Sequence, residues 1–408
     1  RKESMISRLL RTKLSYKDCM DFDHILNRRN TNTWKWDGEG KDALYPMGTA
    51  DMDFPMPLEI QHALQEKIGQ GILSYAADKS YFADAVVSYL NKRDGLQLNP
   101  KSVIPGTSLM SVYKLLLDAF STEGDGVILQ TPVFGGIFQV TKNNNRKIYE
   151  NQLLFDGHTK TWHVNMEELE QLCSLQDTKV LVITNPGNPT ANVFTKEELE
   201  EMVRIASEND VVIISDEVHS DLYYDDRKHT SILNVTDRAV LLTSSAKVFG
   251  IPGLKTAITI IPDEERFKAF ALVNMRAKMD VIDLGLVGMS AGYTQCKYYI
   301  DELRIYLQKS KDICVDWFNQ HDIKVTLSTP QASYLFWLDF RKWNLDNTTL
   351  ESLLRKYGIV FSNGVEFGGS HNEGYMRMNV ATSHAQLLAA LNALEKCYQE
   401  NLGSFIKL

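Results

Sequence analysis

Three short apolar runs in the middle of the chain, each followed by polar residues, limit the folds that this sequence can adopt. They occupy residues 181–184, 211–215 and 239–243. Short runs rich in valine, isoleucine and leucine are typical of strands that are buried on both faces of a parallel sheet. Helical patterns such as that of residues 196–209 alternate with these runs and with another at residues 256–261. The alternation predicts an α/β fold with parallel strands joined by crossover helices.

The polar residues that follow these three runs include Asn188, Asp216 and Lys247, spaced by 28 and 31 residues. In a parallel α/β sheet such strand ends converge on one crevice, where ligands bind. Each residue alone has an ordinary explanation, since aspartate often caps a helix, Asn-Pro often forms a turn and lysine usually lies in solvent. A partly buried lysine, however, has a lowered pKa and reacts as a nucleophile with a carbonyl group.

Together these three residues match the requirements of pyridoxal 5′-phosphate. A carboxylate keeps the pyridine nitrogen protonated so that the ring accepts electrons, an amide hydrogen-bonds the phenolic oxygen, and a lysine carries the aldehyde as a Schiff base. We therefore predict a pyridoxal-phosphate site in which Asp216, Asn188 and Lys247 have these roles. Lys247 is the predicted catalytic residue.

Three longer motifs relate the chain to a known family. They are residues 49–55 (Thr-Ala-Asp-Met-Asp-Phe-Pro), 215–221 (Ser-Asp-Glu-Val-His-Ser-Asp) and 330–339 (Pro-Gln-Ala-Ser-Tyr-Leu-Phe-Trp-Leu-Asp). From about residue 21 to its C-terminus the chain resembles the fold-type I pyridoxal-phosphate enzymes. Within the class I/II aminotransferase superfamily it resembles the cystathionine β-lyase branch, the MalY/PatB-type C–S lyases. His219 favours that branch, because aminotransferases usually carry tyrosine at the matching place.

The resemblance implies an aspartate aminotransferase-like α/β fold, with a large domain built on a mostly parallel sheet and a smaller α/β C-terminal domain. The implied division is a basic N-terminal extension at 1–20, an N-terminal arm with part of the small domain at 21–65, and a large cofactor-binding domain at 66–295. A linking helix and the small domain follow at 296–408. A length of 408 residues suits two such units, and helical spacing over residues 295–321 predicts the linking helix.

A phosphate site is predicted at the turn formed by Gly106, Thr107 and Ser108, which precedes a helix. Unpaired amides and the positive end of a helix dipole bind anions, although the same turn also suits a plain helix cap. Lys255 stands where aminotransferases typically carry an arginine for this phosphate, and it keeps the charge without the planar fork. The predicted cofactor contacts also include Ser244.

Further site residues follow from the resemblance. It implies that Phe134 stacks on the cofactor ring and that His219 contacts the cofactor. It also implies that Tyr75 crosses a homodimer interface to the partner's phosphate. Arg377 is the implied clamp for the substrate carboxylate, and alternation over residues 375–380 places it on the face opposite the methionines. The alternatives are that Tyr75 only anchors a loop and that Arg377 is a surface arginine on an edge strand.

Besides Lys255, a second residue departs from the family pattern within the cofactor site. Ala191 follows Asn188-Pro189-Thr190 at a position where glycine is usual. If the backbone there has a positive φ, an alanine strains the turn.

Charge and cysteine usage exclude several other functions. A net charge of −8 argues against nucleic acid or an anionic membrane as partner, and no apolar stretch is long enough to predict a membrane span. The five cysteines are scattered and the nine histidines form no metal-binding pair, so we expect reduced thiols, a cytoplasmic protein and no metal site.

The resulting functional hypothesis is a C–S lyase that acts on a small amino acid by β-elimination. Cystathionine or another S-substituted cysteine would give a thiol, pyruvate and ammonia. An aminotransferase on the same scaffold, which would use Lys247 for a 1,3-proton shift, is one alternative. A non-catalytic regulator that retains the fold is another, although the intact Asn188, Asp216 and Lys247 set argues against it.

Overall fold

The computed structural model describes residues 20–24 and 26–402. Of the predicted basic extension at 1–20, only Met20 lies within these residues. In chain order the strands are β1 (Tyr45–Pro46), β2 (Val103–Gly106), β3 (Gly126–Thr131), β4 (Lys147–Gln152), β5 (Leu154–Asp156), β6 (Thr161–His163), β7 (Thr178–Thr184), β8 (Val212–Asp216), β9 (Val240–Thr243), β10 (Ala257–Ile260), β11 (Thr326–Leu327), β12 (Leu335–Asp339), β13 (Ile359–Val360), β14 (Ser362–Asn363) and β15 (Tyr375–Asn379).

The helices surround these strands and agree with most of the predicted helical patterns. They are α1 (Leu58–Gly69), α2 (Ser80–Asp94), α3 (Leu109–Phe120), α4 (Gly135–Asn143), α5 (Met166–Cys173), α6 (Lys196–Glu208), α7 (Glu264–Ala277), α8 (Asp283–Gln295), α9 (Lys297–Gln320), α10 (Asn347–Lys356) and α11 (His384–Asn401). The predicted linking helix is α9, which is separated from α8 by Cys296 alone.

A seven-stranded sheet forms the centre of the larger part of the molecule, in the order β2-β10-β9-β8-β7-β3-β4. Pairing is parallel from β9 through β4, which confirms the mostly parallel sheet. The prediction that residues 256–261 also run parallel to their neighbours is wrong, since β10 is antiparallel to both β9 and β2. The connection from β9 to β10 contains only a 3-10 turn, Pro252–Leu254, and a parallel crossover usually needs a helix.

The central strands hold their position because they are buried on both faces. Every residue of β3 and of β9 is buried. Helix α6 shows how the crossover helices cover the sheet: Thr195 and Glu198 form a capping box at its start, and Leu199, Met202 and Ile205 are buried along one side. Burial of such a side chain contributes about 1.5–3 kcal/mol to folding.

A second sheet, antiparallel and ordered β11-β12-β15-β14, lies in the C-terminal part of the chain. Met376 and Met378 of β15 belong to the same hydrophobic core as Leu303 and Leu307 of α9. Arg377 lies on the opposite face of β15, as the alternation predicts.

The predicted domain division stays a prediction. Helix α1 runs through the boundary placed at residue 65 and packs against α8. Within the described ranges, no helix is both long and apolar enough to cross a membrane. In the same residues, no group of three histidine, cysteine, aspartate or glutamate side chains is arranged to hold a metal ion.

Candidate active site

The carboxyl ends of β7, β8 and β9 are neighbours in the sheet, so the loops that follow them meet at one edge. A cavity of about 280 Å³ opens there. The predicted site residues that line it are Ser108, Phe134, Asn188, Asp216, His219, Ser244, Lys247 and Lys255. The three polar residues whose spacing predicted the site therefore do lie together.

Lys247 lies in the turn that follows β9 and is half-buried. Its Nζ donates a hydrogen bond to the backbone oxygen of Ala50, 2.8 Å away. Burial is the main cause that lowers the Lys247 pKa to about 8, and the charge of Arg377 lowers it further. The amine is thus partly neutral near physiological pH, as a nucleophilic or basic lysine requires.

Asp216 ends β8 with a carboxylate that is 4% exposed. Its Oδ1 accepts a hydrogen bond of 3.1 Å from the backbone N–H of Val218. Burial raises the Asp216 pKa to about 7, while that hydrogen bond and the charge of Lys247 oppose the rise. A buried carboxylate of this kind favours a positively charged partner.

Asn188 connects the cavity to Arg377, which is not one of the lining residues. Arg377 Nη1 donates to Asn188 Oδ1 at 3.0 Å, which leaves the Asn188 amide group as a donor for another partner. Arg377 Nη2 donates to the Gly48 oxygen at 2.9 Å and to Ser362 Oγ at 3.1 Å. Burial lowers the Arg377 pKa to about 10, and its guanidinium lies 4.9 Å from the centre of the Phe367 ring.

Helix α3 presents its N-terminus to the cavity. Ser108 caps it, because Ser108 Oγ accepts a hydrogen bond from the Ser111 N–H. Gly106 and Thr107 do not line the cavity. Gly106 is buried beside Val112, and a Cβ at this position would lie 2.2 Å from Val112 Cγ2, so a larger residue would displace the buried Val112 side chain.

The loop that follows β9 also lines the cavity. Ser244 Oγ donates to the Thr256 oxygen at 2.8 Å and accepts from the Ala246 N–H at 3.1 Å, which fixes the turn that carries Lys247. Lys255 is exposed and has a left-handed backbone with a φ of 49°. Its charge therefore lies at the cavity's solvent side.

Two predicted aromatic residues have different positions. Phe134 lines the cavity and is 36% exposed. Tyr75 is fully exposed and lies away from the cavity of its own chain, in a second depression that Ile282 and Leu284 also line. A role for Tyr75 toward a partner's site stays a prediction.

The Ala191 backbone has a φ of 56°, which meets the condition under which an alanine strains this turn. The left-handed conformation costs roughly 1 kcal/mol for a residue with a Cβ. Hydrogen bonds hold it: the Ala191 N–H donates to Gly187, and its oxygen accepts from Gln331 and Ala332. The same turn carries Asn188, which lines the cavity.

Sequence reasoning missed several residues that shape the site. Ala50 lines the cavity and accepts hydrogen bonds from Lys247 and, at 3.4 Å, from the Tyr334 hydroxyl. Thr184, at the end of β7, also lines it. The only available signal was that Ala50 and Tyr334 belong to the motifs at 49–55 and 330–339.

The family resemblance is confirmed by comparison with known proteins. Cystathionine beta-lyase PatB of Bacillus subtilis is 31% identical over 388 residues, covering 92% of this chain and 99% of that protein. Protein MalY of Escherichia coli is 28% identical over 377 residues, covering 90% and 96%. The crystal structure of cystalysin from Treponema denticola, which contains a pyridoxal 5′-phosphate cofactor, has a TM-score of 0.89 at 25% identity, covering 94% of this chain and all of that one. The model for aminotransferase class I and II matches residues 45–394, and the chain belongs to this family.

Proposed function

We propose that this chain is a pyridoxal-phosphate-dependent carbon–sulfur lyase that cleaves the Cβ–S bond of cystathionine or another S-substituted cysteine. The products are a thiol, pyruvate and ammonia. The observation that carries the proposal is that the Lys247 amine and the buried Asp216 carboxylate line the same cavity. The name of the Bacillus subtilis relative, a cystathionine beta-lyase, supports the reaction type.

The lining of the cavity fits pyridoxal 5′-phosphate. Thr184 Oγ1 and His219 Nε2 belong to lining residues and are buried without a hydrogen-bond partner in the described part of the chain. Buried polar atoms of folded proteins are usually paired, so these two suit a polar ligand. The Asp216 carboxylate and the N-terminus of α3 add an acceptor for a protonated nitrogen and donors for an anion.

When bound, pyridoxal 5′-phosphate supplies an aldehyde for an amine and an electron-accepting ring. In this proposal Asp216 would hold the ring nitrogen, and Asn188 with His219 would hold the phenolic oxygen. Phe134 provides the aromatic surface for stacking. The phosphate would be held at the start of α3 by Ser108 and by Ser244 and Lys255, which line the cavity. Gly106 and Thr107 would form the turn that leads into this helix N-terminus.

Lys247 moves the proton. Its neutral amine accepts the α-proton of the amino acid at Nζ, and a pKa of about 8 keeps much of the amine neutral at mildly alkaline pH. The electron pair of the broken Cα–H bond forms a double bond to Cβ, and the Cβ–S pair leaves with the sulfur as a thiolate. Protonation of the thiolate and hydrolysis of the remaining enamine give the thiol, pyruvate and ammonia.

Arg377 is proposed to bind the α-carboxylate of the substrate. Its guanidinium is buried next to Asn188, and its Nε has no hydrogen-bond partner among the residues described. Arginine binds carboxylates through two parallel hydrogen bonds, which also orients them. This contact would fix the α-hydrogen relative to Lys247.

An aminotransferase of the same fold is the alternative that an experiment must distinguish from a lyase. Protein loaded with cofactor is given an S-alkyl cysteine, and thiol and pyruvate are measured without any keto acid. We expect equal amounts of both over many turnovers. A reaction that stops after one equivalent per site and resumes when a keto acid is added would show an aminotransferase instead.

A homodimer in the cytoplasm is the proposed state of the enzyme. The apolar side chains of Ile72, Leu73, Tyr75 and Ile282 are more than half exposed, which favours coverage by a second copy of the chain. The partner's site would then receive Tyr75. Free, buried thiols at Cys173, Cys296, Cys314 and Cys397 support a reducing compartment. Sedimentation of the purified protein, with Ile282→Asp as a disrupting variant, tests the assembly.

A further inference from the structure

The motif at residues 330–339 marks the branch of the family, but no role in the proposed reaction follows from its sequence. In the structure, its first half lies between two loops of the cofactor site. Gln331 N–H donates to the Ala191 oxygen at 2.9 Å, and the Gln331 oxygen accepts from Tyr224 N–H at 3.0 Å. Ser333 N–H donates to the Leu222 oxygen at 2.8 Å. The segment is therefore hydrogen-bonded both to the loop that contains Asn188 and to the loop that follows β8.

Ser333 is the unusual residue of this segment. Its φ is 64°, in the left-handed region that disfavours residues with a Cβ, and its side chain is completely buried. Strain of this kind persists only where neighbouring contacts impose it, and it occurs often at functional sites. One such contact is the Tyr224 hydroxyl, which donates to the Ser333 backbone oxygen.

The Ser333 side chain contacts a residue of the active site. Ser333 Oγ lies 3.0 Å from His219 Nδ1. His219 is 1% exposed and lines the cavity, and the edge of its ring packs against Tyr334 with the ring centres 5.7 Å apart. Nδ1 is thus hydrogen-bonded to Ser333, while Nε2 has no hydrogen-bond partner in the part of the chain that is described.

The hydrogen-bonding capacity of the two groups decides where the ring proton is. The hydroxyl of Ser333 is buried, and among the described residues its hydrogen-bond partner is His219 Nδ1. The hydroxyl hydrogen is satisfied only if Nδ1 accepts it, which leaves the ring proton on Nε2. Burial lowers the His219 pKa well below its usual value, and the charges of Lys247 and Arg377 add to this effect, so the ring is neutral.

We propose that Ser333 is a positioning residue that holds His219 as the Nε2–H tautomer, so that an N–H donor faces an oxygen of the molecule bound in the cavity. That this oxygen belongs to the cofactor rests on the proposed function. The position of the ring proton does not, because it follows from contacts within the chain. A neutral donor here also avoids a third positive charge beside Lys247 and Arg377.

The experiment uses the full chain with ¹⁵N-labelled histidine, and the variants Ser333→Ala and Ser333→Gly. Both variants remove the hydroxyl, but only glycine also relieves the strain at a φ of 64°. The His219 signals are assigned from their loss in His219→Gln. In the wild type, without cofactor, we expect the proton on Nε2 at every pH from 5 to 8. In both variants we expect a mixture of the two tautomers.

The cofactor-loaded proteins supply a second readout. We expect the pH titration of the visible absorbance to shift in both variants, and kcat for an S-alkyl cysteine to fall about tenfold, with a smaller change in KM. Thermal unfolding shows whether each variant is folded. If only Ser333→Ala is unfolded, the proposal is tested by the tautomer, titration and kcat of Ser333→Gly together with the wild-type spectrum.

A wild-type His219 with its proton on Nδ1 overturns the proposal. It is also overturned if Ser333→Gly behaves as the wild type in tautomer, titration and kcat, since the serine would then matter only through its backbone. If the tautomer is as expected but no lyase activity is found, the proposed function fails and the role of Ser333 stands.

Discussion

Lys247 Nζ and the backbone oxygen of Ala50 are 2.8 Å apart, although the two residues are separated by 197 positions in the sequence. This contact joins the turn after β9 to the segment at 49–55. The same segment accepts hydrogen bonds from Asn379 Nδ2 at the Thr49 and Asp51 oxygens. The Lys247 amine is therefore held between the two parts of the molecule, and its position depends on both.

Replacement of the lysine is the most direct test of the site. Lys247→Ala removes the amine that is proposed to bind the cofactor aldehyde and to move the α-proton, so we expect loss of the visible absorbance of the loaded protein and of all measurable turnover. Lys228→Ala is the matched control, because Lys228 is exposed. Retention of both properties in Lys247→Ala would refute the assignment.

The lowered pKa of Lys247 predicts how the cofactor is captured. With a pKa of about 8 instead of 10.5, the neutral fraction of the amine rises about tenfold between pH 7 and pH 9. We expect the rate at which cofactor-free protein captures pyridoxal 5′-phosphate, followed by stopped-flow absorbance, to rise by the same factor and then level off. Lys247→Ala reports the background reaction of other lysines. A rate that still rises steeply above pH 10 would indicate an ordinary lysine.

Replacement of the buried carboxylate tests the electronic role of Asp216. An asparagine retains the shape but cannot keep a ring nitrogen protonated, so we expect Asp216→Asn to bind the cofactor and to lose at least about a hundredfold in kcat. The exposed Asp226→Asn is the control. An unchanged kcat would remove Asp216 from this role.

The raised pKa of Asp216 also predicts the direction in which Asp216→Asn changes stability. The Asp216 pKa is raised from 3.8 to about 7 in the folded, cofactor-free chain, so burial of the charged form costs stability as the pH rises through this window. Above pH 7, cofactor-free Asp216→Asn should therefore unfold at a higher temperature than the wild type. The difference should disappear below pH 4.

The sequence was sufficient to predict the site residues that lie at or after the ends of the neighbouring strands β7, β8 and β9. Asn188, Asp216 and Lys247 were found because buried parallel strands are recognisable by composition and their ends must converge. The direction of β10 was predicted wrongly, because an apolar run alone does not reveal whether a crossover helix precedes it. The spacing to the preceding strand was the better signal.

Residues that act through their backbone or through a distant partner were not predictable. Ala50 contributes a carbonyl oxygen, which any residue has, and it reaches Lys247 only in the folded chain. Ser333 orients His219 from 114 positions away and depends on a positive φ that its residue type does not indicate. Only Ala191 gave a local sign of strain, because an alanine replaced the usual glycine.

Buried ion pairs around Asp53 support the segment that carries Ala50. Asp53 is 2% exposed and accepts from Lys35 Nζ at 2.9 Å and from the Trp36 indole N–H at 2.8 Å, while Arg28 binds it at 3.1 Å. Lys35 is itself only 1% exposed, so Asp53→Ala leaves a buried ammonium group without its counter-ion. Removal of one partner of a buried pair costs about 3–5 kcal/mol.

We therefore expect Asp53→Ala to lose about that much free energy of unfolding in urea. The surface pair of Lys297 and Asp301, with side chains 65% and 46% exposed, provides the matched control, and Asp301→Ala should cost less than about 1 kcal/mol. Asp53→Ala should also lower kcat in the cofactor-loaded protein at temperatures where it remains folded, because the Ala50 oxygen that holds Lys247 loses its support. If Asp53→Ala and Asp301→Ala cost the same, the ion pairs of Asp53 do not stabilise the segment at 49–55.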